Sequence, residues 1–210
     1  LSVSTIGTAT DDGIARILEG GHAVAEVDVA TLTAAPLYTP PAERPSYLDG
    51  LHARALPPLL DASDAGRLLA TLLGSPNIAS RRAVYRRYDH EVQTNTLVKP
   101  GAADAAVIRL RGTAKAIAVA IDGNGRHAYL EPYAGGAMAV AEACRNVVCT
   151  GATPVAITDC LNFGDPTKPE VYYQLREAIK GMTAACEALG VPVISGNVSL
   201  FNESAGEAIY

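Results

Sequence analysis

The stretch TPVAITDCLNFGDPTKPEVYYQLREAIKGMTAACEALGVPVISGNVS, residues 153–199, contains a strand pattern, a long helix pattern and a second strand pattern in succession. Thr167 and Glu170 have the spacing of a helix capping box. Pro169 suits a first helical turn, and Gly190 suits the helix end. Between these limits apolar residues recur at helical intervals and predict one buried stripe, formed by Val171, Leu175, Ile179, Met182, Cys186 and Leu189. The order strand, helix, strand is typical of an α/β domain.

The residues before this stretch show the same alternation from position 84 onward. AAVIRLR and AIAVAI predict two strands joined by GTAK, a connection short enough for a hairpin. GGAMAVAEACRNVVCTGA predicts a helix that closes on Gly151. Its expected apolar stripe consists of Met138, Ala141, Cys144 and Val148. Residues 84–210 are therefore expected to form one α/β domain.

The first 83 residues have a different character. Residues 1–34 predict a short β-rich unit with turns at DDG and GG, too small to bury a core of its own. Residues 35–83 predict a linker, rich in proline and polar residues, that contains one short helix at DASDAGRLLATLLGSPN. Asp61 or Ser63 is the expected N-cap of that helix, and Gly74 lies near its expected end.

The amino-acid composition limits the classes of protein to which this chain can belong. The chain has 210 residues, 49% of them hydrophobic, and a formal net charge of −5, with no basic excess that would favour nucleic acid as a partner. No apolar run approaches the length of a membrane span, and the first residues do not match a targeting segment. Four cysteines without a Cys-x-x-Cys pair predict core thiols in a reducing compartment, so we expect a cytoplasmic protein. The chain starts without methionine, and we expect it to be a piece of a longer protein.

Three polar clusters follow the predicted strands at Ala116–Ile121, Val155–Ile157 and Val191–Ile194, where α/β folds place ligands. Oxygen ligands suited to magnesium come from Asp122, Asp159 and Asn197. Glycines that let phosphate approach the backbone are Gly123, Gly125 and Gly196. Glu142 and Asn146, four apart on a helix, could jointly hold a cation or form a solvated face. Asp, Asn and Gly also dominate ordinary turns, so a nucleotide site and a set of turns both fit these patterns.

Four longer motifs carry a resemblance to a known family. YDHEVQTNTLVKPG, DGNGRHAYLEPYAGGAMAVAEACRNV, TDCLNFGDPTKPEVY and ISGNVSLFNES closely resemble phosphoribosylformylglycinamidine synthase in its smaller, multi-subunit form. The resemblance implies a mixed sheet with helices on one face, as in the amino-terminal domain of aminoimidazole ribonucleotide synthetase. It also implies that residues 1–34 are the tail of a preceding domain and that residues 84–210 are an ATP-binding domain truncated at its carboxyl end.

The resemblance implies an ATP-dependent ligase of purine biosynthesis. Such an enzyme converts formylglycinamide ribonucleotide, ATP and glutamine-derived ammonia into formylglycinamidine ribonucleotide, ADP and phosphate, with magnesium on the nucleotide. A glutaminase subunit and a small accessory subunit are the implied partners. The piece by itself is expected to be inactive, because the family's catalytic histidines belong to the first half of the enzyme. None of His22, His52, His90 and His127 falls in their motif.

Four positions of this sequence match the family's ligand contacts. By resemblance, Asp159 and Gly196 contact ATP, Asn197 is a magnesium ligand, and Ser199 contacts the ribonucleotide substrate. Glu142 and Asn146 resemble residues that bind magnesium at an auxiliary nucleotide site in larger relatives. Asp165 and Phe201 depart from the common pattern, which has asparagine and tyrosine at these places.

Two other functions are compatible with the sequence. The first is another ATP-binding enzyme of the same superfamily, of the selenophosphate synthetase or thiamine-phosphate kinase type. The second is a non-catalytic interface module that self-associates through an exposed sheet face and whose polar loops are structural. Magnesium-dependent nucleotide binding separates the ligase from the interface module.

Overall fold

The computed structural model describes residues 3–34, 37–56 and 62–209. These residues fall into two compact units, one before and one after the junction between Thr39 and Pro40. Among the described residues, no helix is both long enough and apolar enough to cross a membrane.

The first unit is built on an antiparallel hairpin of β1 (Ile14–Glu19) and β2 (His22–Asp28). The turn between them uses the predicted glycine pair, both members of which have positive φ values. The sequence predicted a β-rich unit over residues 1–34, but Val29–Thr33 within it is a short helix, α1. The carboxylate of Asp28 caps α1 by accepting a hydrogen bond from the Ala30 N–H at 2.8 Å, and the chain therefore turns there.

Residues 40–95, in the second unit, contain more helix than the predicted linker. The described residues of this range form three α-helices, α2 (Ser46–His52), α3 (Ala65–Gly74) and α4 (Arg82–Tyr85), together with two 3₁₀ turns. The end of α3 at Gly74 is confirmed. Its N-cap is neither of the predicted residues but Asp64, whose carboxylate accepts a hydrogen bond from the Arg67 N–H at 3.1 Å. Of the two predicted caps, Asp61 lies outside the described residues.

A three-stranded antiparallel sheet follows, in the order β3 (Thr96–Val98), β4 (Ala106–Arg109) and β5 (Ala116–Val119). The predicted hairpin is confirmed in β4 and β5, which pair in register from Ala106 opposite Val119 to Arg109 opposite Ala116.

Three helices and a parallel strand pair complete the α/β part. The helices are α5 (Gly125–Leu130), α6 (Pro132–Cys149) and α7 (Pro169–Leu189), and the strands are β6 (Ile157–Asn162) and β7 (Val193–Ser199). A last hairpin joins β8 (Glu203–Ser204) to β9 (Glu207–Ala208). The predicted α/β class is confirmed, with the strands distributed over small separate sheets.

The ends of α7 follow the sequence prediction only in part. Pro169 lies in the first turn, and Gly190 closes the helix with φ 67°. The predicted capping box is wrong, because the N-cap is Lys168, without a side-chain capping bond. The Thr167 hydroxyl instead donates to a carboxylate oxygen of Asp165 at 2.7 Å.

Helices α6 and α7 pack closely through glycines. A Cβ atom on Gly181 would lie 1.8 Å from the carbonyl oxygen of Tyr133, and one on Gly136 would lie 2.2 Å from that of Ala178. This approach sets which face of α6 is buried. Met138 and Val148, which belong to the predicted apolar stripe, are 47% and 56% exposed. The buried residues of α6 are Pro132, Gly135, Gly136, Val140 and Cys144. The sequence stripe missed the glycines because they carry no hydrophobic signal.

The core lies between these helices and the parallel strands. One cluster consists of Val140, Cys144, Cys186 and Val191, with Ile157, Met182 and Ala185 packed against it. The second consists of Phe163, Leu175 and Ala178, with Leu161, Tyr172 and Leu200 around it. In the predicted α7 stripe, Val171, Leu175 and Cys186 are buried, but Ile179 and Leu189 are 41% and 50% exposed.

Helix α2 is fastened to the α/β part. The Tyr47 ring stacks on that of Tyr129 with a centroid distance of 4.5 Å, and its hydroxyl donates to the Tyr129 carbonyl at 3.1 Å. The amide of the buried Gln174 in α7 donates to the same hydroxyl. Leu48 is 1% exposed. This part of the predicted linker therefore belongs to the packed domain.

Candidate functional site

Asp159 and Gly196 lie side by side in the parallel strand pair. They are direct partners in the register of β6 and β7. The sequence placed these residues after the ends of two short strands, and this is wrong: β6 runs from Ile157 to Asn162 and β7 from Val193 to Ser199. Polar residues can lie in the middle of these strands, because the backbone hydrogen bonds between β6 and β7 do not depend on the side chain.

The space above Gly196 is occupied by the carboxylate of Asp159. A Cβ atom built on Gly196 would lie 2.1 Å from Oδ1 and 2.4 Å from Cγ of Asp159. Asp159 is half-buried, as are Ile157 and Leu161, which share its face and pack against the two core clusters. The glycine in this strand therefore has a local structural reason, which is to admit the carboxylate of the neighbouring strand.

Asn197 and Ser199 belong to the opposite face of the strand pair. Side chains alternate along a strand, so Asn197 points away from the side that Asp159 occupies. Its amide nitrogen lies 3.4 Å from the Ser199 hydroxyl, and Cys160 is its partner in register. Asn197 and Cys160 are exposed. The structure thus brings the four predicted site residues together as two pairs, one pair on each face.

The loops after β6 and β7 are tied to each other at the carboxyl edge of the strand pair. Asn202 donates its amide to the Ser199 carbonyl at 2.7 Å and to the Phe163 carbonyl at 3.2 Å. Lys168 and Glu203 form an ion pair at 2.6 Å. Hydrogen bonds from Thr167 hold the pKa of Asp165 below its usual value, so this carboxylate stays charged. The edge is therefore ordered and carries charges of both signs.

Asn202 belongs to this edge, although no sequence pattern predicted a role for it. Asn202 follows the end of β7 by three residues, and asparagines in such turns commonly form hydrogen bonds with nearby backbone groups. The partners of such a residue depend on which strands are neighbours, and the sequence does not define that order.

A second polar group joins the loop after β5 to helix α6. The Asn146 amide donates to Oδ1 of Asp122 at 2.9 Å. Oδ2 of Asp122 is buried and has no hydrogen-bond partner among the residues that the structure describes. Glu142 lies one turn before Asn146 on α6 and is half-buried. Oxygen donors with an unsatisfied carboxylate suit a hard cation. Within the described ranges, no group of three or more His, Cys, Asp or Glu side chains could by itself hold a metal ion.

The remaining candidates lie away from these groups. His52 contacts the Leu130 carbonyl at 3.1 Å and lies 3.5 Å from the Glu131 carboxylate, which is a structural role between α2 and α5. The ring of His90 lies 3.1 Å from the Tyr88 carbonyl. The basic stretch RRAVYRR spans the short helix α4, and its four arginines are exposed.

Comparisons with known proteins identify relatives for this chain. A family model described as AIR synthase related protein, N-terminal domain, matches residues 102–210. The chain is 52% identical over 211 residues to phosphoribosylformylglycinamidine synthase subunit PurL of Moorella thermoacetica and 53% identical over 213 residues to that of Thermomicrobium roseum. Each alignment covers 100% of this chain and 29% of the relative. The resemblance predicted from the four motifs is confirmed.

Solved structures give the same result at lower identity. Thermotoga maritima PurLQS has a TM-score of 0.70 and 29% identity, covering 95% of this chain and 30% of that one. T. maritima PurL complexed with ATP has a TM-score of 0.65 with 30% identity, again covering 95% and 30% of the two chains. T. maritima PurL complexed with FGAR has a TM-score of 0.67 with 30% identity and coverages of 95% and 29%. Residues 102–210 match the model of the N-terminal domain of the AIR synthase related proteins, so this chain belongs to that family.

Proposed function

We propose that this chain forms part of an ATP-dependent ligase that makes an amidine in purine biosynthesis. In the proposed reaction, phosphate passes from ATP to the formamide oxygen of formylglycinamide ribonucleotide, and ammonia from glutamine then displaces that phosphate. The products are formylglycinamidine ribonucleotide, ADP and phosphate. The observation that carries the proposal is 52% identity over the whole chain to a PurL subunit. The chain spans 29% of that relative's length, so it supplies one part of the site.

The roles of the four residues follow from the resemblance and from their faces. Asp159 and Gly196 contact ATP on the side of the strand pair that faces the core, and Asn197 and Ser199 hold magnesium and the ribonucleotide on the exposed side. Gly196 and Asn197 are adjacent, so phosphate near the backbone of one lies close to the amide of the other. These two pairs of residues lie on opposite faces, so a nucleotide that contacts both faces passes over the edge of β7.

Magnesium fits Asn197 as one ligand among several. A neutral amide oxygen suits this ion, which normally keeps water and binds phosphate and carboxylate oxygens as well. When bound, the metal neutralises charge on the transferred phosphate. Asn197 would hold one coordination position beside the nucleotide, while Ser199 would orient the substrate by hydrogen bonding.

We also propose an auxiliary cation site at Asp122, Glu142 and Asn146. Within the described part of the chain, the buried Oδ2 of Asp122 has no hydrogen-bond partner, and a cation would satisfy it. The Asn146 amide already fixes the other carboxylate oxygen at 2.9 Å. This arrangement supports the role that the resemblance assigns to Glu142 and Asn146.

The proposed partners are a glutaminase subunit, which delivers ammonia, and a small accessory subunit. The proposed location is the cytoplasm, which two buried free thiols, Cys144 and Cys186, support.

A chimaeric enzyme tests the proposed function. The matching 211 residues of the M. thermoacetica PurL subunit are replaced by this chain, and ADP formation is measured with formylglycinamide ribonucleotide and ammonia. The chimaera should retain activity that requires both the ribonucleotide and ammonia. Asn197→Ala in the chimaera should abolish this activity. Asn77→Ala, at an exposed position in the turn that follows α3, should not. A folded chimaera without this activity would contradict the proposal.

A second candidate function, an interface module, is supported by exposed apolar side chains on the strand pair. Ile194 is 68% exposed and Val198 is 55% exposed. Exposed apolar patches of this kind mark association sites. Sedimentation velocity over a range of concentrations should detect self-association that Ile194→Glu weakens. A strictly monomeric chain would contradict this candidate without affecting the ligase.

A further inference from the structure

Phe201 has a backbone conformation that is rare for its residue type. It follows β7 by two residues and has φ 60°, in the left-handed region. Glycine has no steric penalty in this region and asparagine tolerates it, whereas a bulky side chain there is an outlier.

The surrounding bonds fix this conformation. The Phe201 N–H donates to the Gly164 carbonyl at 3.0 Å, and the next N–H, of Asn202, donates to the Phe163 carbonyl at 3.1 Å. The Asn202 amide adds its bond to the Ser199 carbonyl at 2.7 Å. The loop therefore requires a left-handed residue at position 201.

The aromatic ring contributes little to the folded core. The residue is 64% exposed, whereas the preceding Leu200 packs against the cluster around Phe163. The chain thus places a large ring where the backbone favours a small residue and where packing gains little. Local conflicts of this kind concentrate at functional sites.

We propose that Phe201 is a specificity-determining residue whose ring stacks on the adenine ring of the bound nucleotide. This inference rests on the nucleotide site of the proposed function. The Cα atoms of Ser199 and Phe201 are at most about 7 Å apart, because only Leu200 lies between them. Phe201 lies at the carboxyl edge of two parallel strands, where α/β sheets bind ligands. Every base has a flat face on which an aromatic side chain can stack.

Two matched variants and two ligands test the inference by calorimetry. Phe201→Asn removes the ring and suits the left-handed backbone, and Phe201→Tyr keeps the ring. Magnesium ADP carries adenine, and magnesium tripolyphosphate carries only phosphates. The Asn variant should lose about 5- to 150-fold in ADP affinity and bind tripolyphosphate as the parent does. The Tyr variant should bind ADP like the parent.

Several results would overturn the inference. An Asn variant that keeps the parent's ADP affinity, or that loses both ligands equally, shows that the ring does not stack on adenine. A lower thermal midpoint for the Asn variant shows that the ring has a structural role instead. If the proposed function holds in these cases, Asn197→Ala still abolishes magnesium-dependent ADP binding. A folded parent that binds neither ligand overturns the nucleotide site and this inference together.

Discussion

Replacing Gly196 by alanine should destabilise the domain through one neighbour, the carboxylate of Asp159. The new Cβ would lie 2.1 Å from Oδ1, against 3.4–4 Å for an ordinary contact, so the carboxylate has to move by more than 1 Å. Overpacking of this kind costs about 1–3 kcal/mol of unfolding free energy. We expect a loss in that range for Gly196→Ala.

A double-mutant cycle isolates the cause. Asp159→Ala removes every atom that the new Cβ would meet most closely. In that background Gly196→Ala should no longer destabilise, and it should stabilise by about 0.5–1 kcal/mol, because alanine loses less backbone entropy in a strand than glycine. The coupling energy should therefore be at least about 1.5 kcal/mol.

Urea denaturation followed by circular dichroism measures the four free energies. If Gly196→Ala costs the same in both backgrounds, the carboxylate is not the reason for the glycine. A neutral effect on stability with a loss of nucleotide affinity would show instead that the ligand requires the glycine.

Three further predictions concern other parts of the chain. Gly181→Ala should lower the free energy of unfolding by about 3 kcal/mol or more, as measured by thermal unfolding. Its Cβ would lie 1.8 Å from a backbone carbonyl oxygen of α6, which no rotamer change can move. The control Gly66→Ala has open space around it and should stabilise α3 slightly. Magnesium nucleotide should slow alkylation of the exposed Cys160, which is the register partner of Asn197, but not of the exposed Cys149. Equal rates would contradict the placement of the magnesium ligand on that face. The Arg16 guanidinium lowers the pKa of Asp12 to about 2. This carboxylate therefore stabilises the hairpin above pH 3.8 and loses that effect as pH falls towards 2, and an NMR titration of Arg16→Gln should give a higher midpoint.

The spacing of apolar residues and the positions of proline and glycine predicted the long elements well. The long helix α7 could be placed from its apolar spacing, Pro169 and Gly190, and the hairpin of β4 and β5 from its short connection. These signals are local, since each depends on neighbours within a few residues.

The errors arise where distant residues decide the structure. The buried face of α6 is set by Gly136 against α7, and the packing of Tyr47 and Gln174 draws an apparent linker into the domain. The sequence placed Asp159 and Asn197 after the ends of two strands, whereas both residues lie within β6 and β7, where register and side-chain alternation assign them to opposite faces. The sequence patterns do not fix the pairing of two strands that are separated by a whole helix.

We propose above that Asp159, Gly196 and Asn197 form part of a magnesium nucleotide site. Calorimetric titration with a non-hydrolysable ATP analogue, with and without magnesium, tests it most directly. We expect binding that requires magnesium, that is lost in Asn197→Ala and that is unchanged in the exposed control Asn77→Ala. Binding of equal affinity without magnesium, or in Asn197→Ala, would contradict it.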